Sequence, residues 1–315
     1  MKHFILGVTL LAFACGGGSL TEVKTTYDAG DYAKAISLSR NAIALDSTNV
    51  AAWEWLAKSY EKAGKQDSAL YAWESAYARN SSRNSIRQPL SRLYIAKASR
   101  AADEKEYGTA LNYLGKAEKI TPNSFDVYFL RGHIYRLRGY PGKAEEQFAK
   151  ASEISKSDPR LQEELDAIAK ARAQASELRD KGIALYKKNR WTAAGKVLKK
   201  SIDLNAEDKD SKYYYHMARG RRLYKKGSVS ALWDAIEHFG LAANARPDNP
   251  EPHYYMGLCY KKKDKKDYEG PIASFEQVIA LAPDSRLAKK AKKQIRDIRA
   301  LKEKRERFWG KKKKR

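Results

Sequence analysis

The chain has 315 residues, with 62 Lys and Arg against 38 Asp and Glu, a formal net charge of +24. Hydrophobic residues make up 43%, enough to bury a core, while nine Pro, 19 Gly and two Cys exclude a collagen-like chain, a disordered polyelectrolyte and a disulfide scaffold. Outside Phe4–Ala14 there is no long apolar run, and that one is short for a membrane span, which excludes an integral channel.

At the N-terminus Lys2 and His3 precede the apolar stretch Phe4–Ala14, and Cys15-Gly16-Gly17-Gly18-Ser19 follows it. A positive start, about ten apolar residues and a small-residue end form the layout of a secretory signal. The Cys directly after Ala14 resembles the lipobox of bacterial lipoproteins, although Ala12 stands where that motif has Leu. The resemblance implies a signal peptide over 1–14, acylation of Cys15 with a palmitate-type chain and a short linker over 15–18. Ala12-Phe13-Ala14 is also an ordinary signal-peptidase site, which leaves a soluble exported protein as the alternative.

The body recurs. Asp31-Tyr32-x-x-Ala35-Ile36 returns as Gln66-x-x-Ala69-Leu70, and the marker Ala reappears as Ala110, Ala144, Ala194 and Ala235. Steps between markers are 34, 41, 34, 50 and 41 residues. A small residue precedes each marker (Ala57, Ala98, Gly132, Gly182, Gly220, Gly257), and a bulky one follows it by four (Trp73, Leu114, Phe148, Leu198, Phe239, Phe275). Pro122, Pro247 and Pro283 close their units, where Pro stops a helix. This pattern resembles the tetratricopeptide repeat, a 34-residue helix–turn–helix unit that needs neighbours to bury its apolar face. The fold expected is all-α, a right-handed superhelical solenoid of about seven such helix pairs with a C-terminal capping helix.

Irregularities divide the array. Ser39 stands where a large residue belongs, and Pro271 occupies the last marker slot, implying a shortened or shifted second helix. Ser81–Leu90 reads as a polar insertion carrying Pro89, and Leu161–Lys188 as one overlong helix. The division expected is units one to four over 19–160, then the long helix and units five to seven over 161–285.

The residues offer no chemistry of an enzyme. His216 and His253 fall in a packing slot, while His133 and His238 stand alone; no metal-ligand spacing and no phosphate-loop glycine pattern occur, so no metal or other cofactor is expected. Cys259 lies within an apolar helix segment and reads as a small hydrophobe.

The resemblance implies instead that first helices line a concave groove for a protein or peptide partner. Its inward positions correspond here to Phe129, His133 and Arg136 in the fourth unit, and to Arg179, Ile183 and Tyr186 in the fifth. In the sixth they are Met217, Arg221 and Tyr224, and in the seventh Tyr254, Leu258 and Lys261. Aromatic rings alternating with cations suit an acidic, partly apolar peptide. The second unit instead offers Glu54, Lys58 and Glu61.

Arg286–Arg315 carries 16 basic and three acidic residues, more than half the charge excess of the chain. Leu287, Ala291, Ile295 and Ile298 form one apolar stripe, so 286–307 is expected to be a capping helix with its cations in solvent. Phe308-Trp309-Gly310 and Lys311, Lys312, Lys313, Lys314 and Arg315 make a polybasic end, expected to be flexible over 308–315. Such an end attracts anionic lipid or peptidoglycan; nucleic acid fits the charge but not export. The reading as a whole is a non-enzymatic adaptor, lipid-anchored on the periplasmic face of a bacterial outer membrane. The alternatives are an envelope tether acting through its tail and a regulatory subunit of an exported enzyme.

Overall fold

A computed structural model describes residues 20–312. The signal peptide over 1–14, Cys15 with its linker, and Lys313, Lys314 and Arg315 lie outside the described residues. Within them every regular element is a helix, in seven antiparallel pairs and one helix more.

The pairs are α1 (Leu20–Asp28) with α2 (Tyr32–Leu45), α3 (Val50–Lys62) with α4 (Gln66–Arg79), and α5 (Asn84–Asp103) with α6 (Tyr107–Ile120). Next come α7 (Phe125–Leu137) with α8 (Pro141–Ile154), and α9 (Pro159–Lys187) with α10 (Trp191–Leu204). The last are α11 (Lys209–Lys226) with α12 (Val229–Ala245) and α13 (Glu251–Lys263) with α14 (Glu269–Leu281), followed by α15 (Arg286–Lys312). The chain forms two compact units that divide between Arg131 and Gly132, inside α7. The boundary expected near 160 falls later, at the start of α9.

Close approach within each pair follows the small-and-bulky pattern. A Cβ on Gly132 would stand 2.6 Å from Phe148 Cε1, one on Gly220 2.6 Å from Phe239 Cε1, and one on Gly257 2.7 Å from Phe275 Cε1. In the first unit Ala57 and Trp73, and Ala98 and Leu114, are fully or almost fully buried at the same slots. The first pair inverts the arrangement. Val23 stands where later units have Gly or Ala, and both Val23 and Ser39 are buried, so the larger side chain of the two slots is on the first helix. Turns inside the pairs place Gly30, Gly64 and Gly139 in the left-handed region, with Lys105 and Asn189 in the same slot.

Three irregularities resolve physically. The polar stretch at 81–90 does not stand apart as a connector: from Asn84 it is the first turns of α5, and Pro89 lies inside that helix. Leu161–Lys188 is indeed one helix, the 29-residue α9. Pro271 sits in the first turn of α14, where its missing N–H costs nothing, and that helix is 13 residues long against 14 for most of its counterparts. α15 packs on α14 and α13 through Ala291, Ile295 and Ile298, with Leu287 beside them. It runs to Lys312, so the segment expected to be flexible from Phe308 begins inside a helix.

Candidate functional site

In the second compact unit the expected groove residues lie on α7, α9, α11 and α13, and their cations share one habit. Each reaches an acceptor belonging to the next first helix. Arg136 on α7 donates to Glu164 on α9, with its second nitrogen 3.3 Å from the other carboxylate oxygen. Arg179 on α9 lies 3.5 Å from Asp208, the N-cap of α11, and also donates to Asp180 at 3.0 Å and Ser176 at 2.8 Å. Arg221 on α11 is 3.7 Å from Glu251 on α13. Lys261 on α13 donates to Gln294 on α15 at 2.8 Å.

Sequence reasoning missed this ladder because it searched the inward positions for cations and not for the acids that answer them. The signal was present: Glu164, Asp208 and Glu251 each stand in the early turns or at the cap of a first helix, where carboxylates also favour the helix dipole.

Glu251 is the hub of the largest group. Tyr186 donates to one of its oxygens at 3.3 Å and Tyr213 to the other at 3.1 Å. Burial, and then the Glu251 charge, push both phenols well above their ordinary range, so they stay protonated donors. The Arg221 guanidinium covers the Tyr255 ring at 4.2 Å and the Trp191 ring at 4.8 Å. Tyr224 meets Tyr255 edge-on at 6.3 Å. Tyr186 and Arg221 thus meet at Glu251, and Ile183 is half-buried on α9.

Other expected residues are placed differently. Met217 is fully buried in a core with Tyr213, Leu232 and Phe239, so it does not line a groove; the long α11 turns that face into the pair. Tyr254 and Leu258 pack against the cluster of Phe275, Ile295 and Ile298, because α15 occupies the side on which an eighth unit would stack. Phe129, in the first compact unit, stacks on Phe125 with centroids 5.7 Å apart.

Two histidines expected to stand alone have partners. His133 Nδ1 is 2.7 Å from Glu164. Burial alone would raise the Glu164 carboxyl, yet His133 and Arg136 outweigh it and hold it below its usual range. His238 Nδ1 lies 3.0 Å from His216 Nδ1, and Arg219 donates to His238 Nε2 at 3.3 Å. An accepting Nε2 makes His238 a neutral Nδ1–H donor, so His216 accepts at Nδ1 and is neutral as well. Burial, then the neighbouring His238 and Arg219, lower His216 to about 4.

In the first compact unit Glu54 is buried and paired with Arg83 at 2.8 Å, and Glu61 accepts the Trp73 indole at 2.9 Å. Lys58 lies over the Trp55 ring at 4.6 Å. The acids of this unit therefore also serve packing.

Among the described residues no group of three or more His, Cys, Asp or Glu side chains is placed to hold a metal ion, and no helix is long and apolar enough to cross a membrane. Cys259 is buried, and burial pushes its thiol up to about 12, which fits the expected inert hydrophobe. On α15, Lys289, Lys290, Lys292, Lys293 and Arg296 are exposed with no acidic partner among the described residues, while Arg299 pairs with Glu276 at 3.1 Å and Lys302 with Glu269 at 2.9 Å. Lys311 and Lys312 fall on its last turn, their side chains outside the described part.

Family models for the tetratricopeptide repeat match residues 20–85 and 125–158. Tetratricopeptide repeats are therefore present, and among the described residues every regular element is a helix. A curated Drosophila melanogaster protein, "BBSome complex member BBS4 homolog", is 24% identical over 208 residues, or 60% of this chain and 41% of the relative. This chain thus spans less than half of that relative's length. A tetratricopeptide repeat protein from Parabacteroides merdae is 15% identical, with 86% of this chain and 95% of that one covered and a TM-score of 0.36. YrrB, described as a repeat protein with an unusual peptide-binding site, is 21% identical over 71% of this chain and all of its own, with a TM-score of 0.29.

Proposed function

We propose that this protein is a non-enzymatic scaffold that holds a protein partner on the inner surface of its second compact unit. The observation that carries the reading is the Tyr186–Arg221–Tyr255–Glu251 group. It joins three successive first helices and presents half-buried aromatic rings around a cation, the composition favoured in binding hot spots. Because Glu251 answers the positive charge internally, the partner's contribution at this point is apolar or aromatic more than acidic.

The finer reading adds location. The lipobox-like Cys15 and the signal layout before it support export and a lipid anchor on the periplasmic face of an outer membrane. A second reading, an envelope tether, draws on the five exposed cations of α15 that lack acidic partners, a face suited to anionic lipid or peptidoglycan.

Chemical crosslinking in the native envelope followed by mass spectrometry tests the two, comparing the full chain with one ending at Arg307 and with Arg221→Glu. A scaffold yields one defined protein in both the full and shortened chains and loses it in Arg221→Glu, with an unchanged melting curve. Capture of wall fragments or lipid alone, weakened as charge is removed from α15, contradicts the scaffold and supports the tether.

A further inference from the structure

A cleft of about 460 Å³ opens between α10 and α11, lined by α10 residues from Trp191 to Lys200 and by Tyr215, Arg219 and Arg222 of α11. Its volume lies in the range of small-molecule sites, roughly 300–1,000 Å³. Two aromatic rings, Trp191 and Tyr215, supply apolar wall. Its floor includes Gly195, buried in mid-helix, and a Cβ built there meets no atom within 4 Å. A glycine at such a position weakens the helix and fills no tight contact, so its effect here is to leave the space open.

Five cations line the same cleft, and they divide into two sets. Lys199 pairs with Asp203, and Arg219 is turned toward neutral His238. Lys196, Lys200 and Arg222 are exposed and have no acidic partner among the described residues. No carboxylate lines the cleft. The positive field is felt nearby: both His216 and His238 are lowered, by burial first and then by charges that include Arg219.

We infer that this cleft binds a small aromatic anion of nucleotide size, a nucleoside diphosphate in class. Its flat base lies against Trp191 and Tyr215, and its phosphates lie among Lys196, Lys200 and Arg222. Three uncompensated cations match the roughly three negative charges of a diphosphate at neutral pH, which forms the stronger, charge-assisted hydrogen bonds. Base stacking on aromatic rings tolerates any base, so the site reads charge and flatness ahead of base identity. It shares the Trp191 ring with the group around Arg221 but takes its cations from elsewhere, and it does not rest on a protein partner there.

Isothermal titration of the full chain with ADP, GDP, CDP and UDP, in about 0.15 M salt to screen loose attraction, tests the site. Adenosine, inorganic phosphate and a short acidic peptide containing Trp serve as comparison probes. The expected result is a dissociation constant at or below about 0.1 mM for at least one diphosphate, with adenosine and phosphate weaker by about tenfold or more. Arg222→Glu and Lys200→Glu each weaken that diphosphate by a similar factor. Gly195→Leu fills the cleft and abolishes binding while the chain melts at or above the parent temperature. Lys292→Glu on α15 leaves binding unchanged. The inference is overturned if no diphosphate binds, if the cleft variants bind as the parent does, if phosphate alone binds as well, or if only the peptide binds.

Discussion

At the residue scale, one chemical change has opposite consequences depending on what it meets. Gly220→Ala drives a methyl to within 2.6 Å of the buried Phe239 ring, so overpacking of about 1–3 kcal/mol outweighs the gain in helix propensity and stability falls. Gly240→Ala, in mid-helix with nothing within 4 Å of its Cβ, raises stability by up to about 1 kcal/mol. Urea unfolding of the two variants checks the opposite signs. At the pair turns, Lys105 has φ 62° where other units have Gly, so Lys105→Gly relieves a left-handed residue and stabilises by about 1 kcal/mol in the same assay. The histidine pair adds a pH dependence. Folding favours neutral His216, whose value drops from the ordinary 6.5 to about 4, so the unfolded chain binds the extra proton between those values. That stability is full above about pH 6.5 and is lost as pH falls toward 4. Melting temperature followed from pH 7.5 to 4 should decline in this window, and His216→Gln should flatten the decline. A decline unchanged by that substitution would refute the pairing.

At the scale of the helix, what was legible in the sequence is what repeats. The Gly132–Phe148, Gly220–Phe239 and Gly257–Phe275 contacts recur at fixed spacing, so pairing and helix type follow from pattern alone. The long α9 was readable because nothing in it breaks a helix. What escaped depends on neighbours. Met217 carries an inward repeat position, yet α12 and α13 cover it; Tyr254 and Leu258 are covered by α15; and Pro89 is carried inside α5. The ladder from Arg136 to Gln294 was hidden because each rung joins residues of different units. Its rungs are partly exposed, and such pairs contribute about 0–1 kcal/mol each. A double-mutant cycle on Arg221 and Glu251 should therefore give a coupling below about 1 kcal/mol. A coupling of several kcal/mol would mean that the pair holds the array together, leaving little freedom for a partner.

At the scale of the whole chain, α15 ends the array and carries its largest surplus of charge. Its apolar stripe is spent on the last pair, so its exposed cations do not add to the core. Removing them should change salt-dependent attraction to anionic surfaces more than stability. The proposed scaffold holds its protein partner around Arg221. The most direct measurement is site-specific photo-crosslinking in cells that make the protein, with the reactive group at Ile183 or Tyr224 beside the Arg221 group, at Lys200 in the α10–α11 cleft, or at Lys290 on α15. The expected result is one defined protein from Ile183 and Tyr224, absent from Lys200 and Lys290, and lost from a chain that also carries Arg221→Glu. The same products from all four positions, or a protein captured from Lys290 alone, would contradict it.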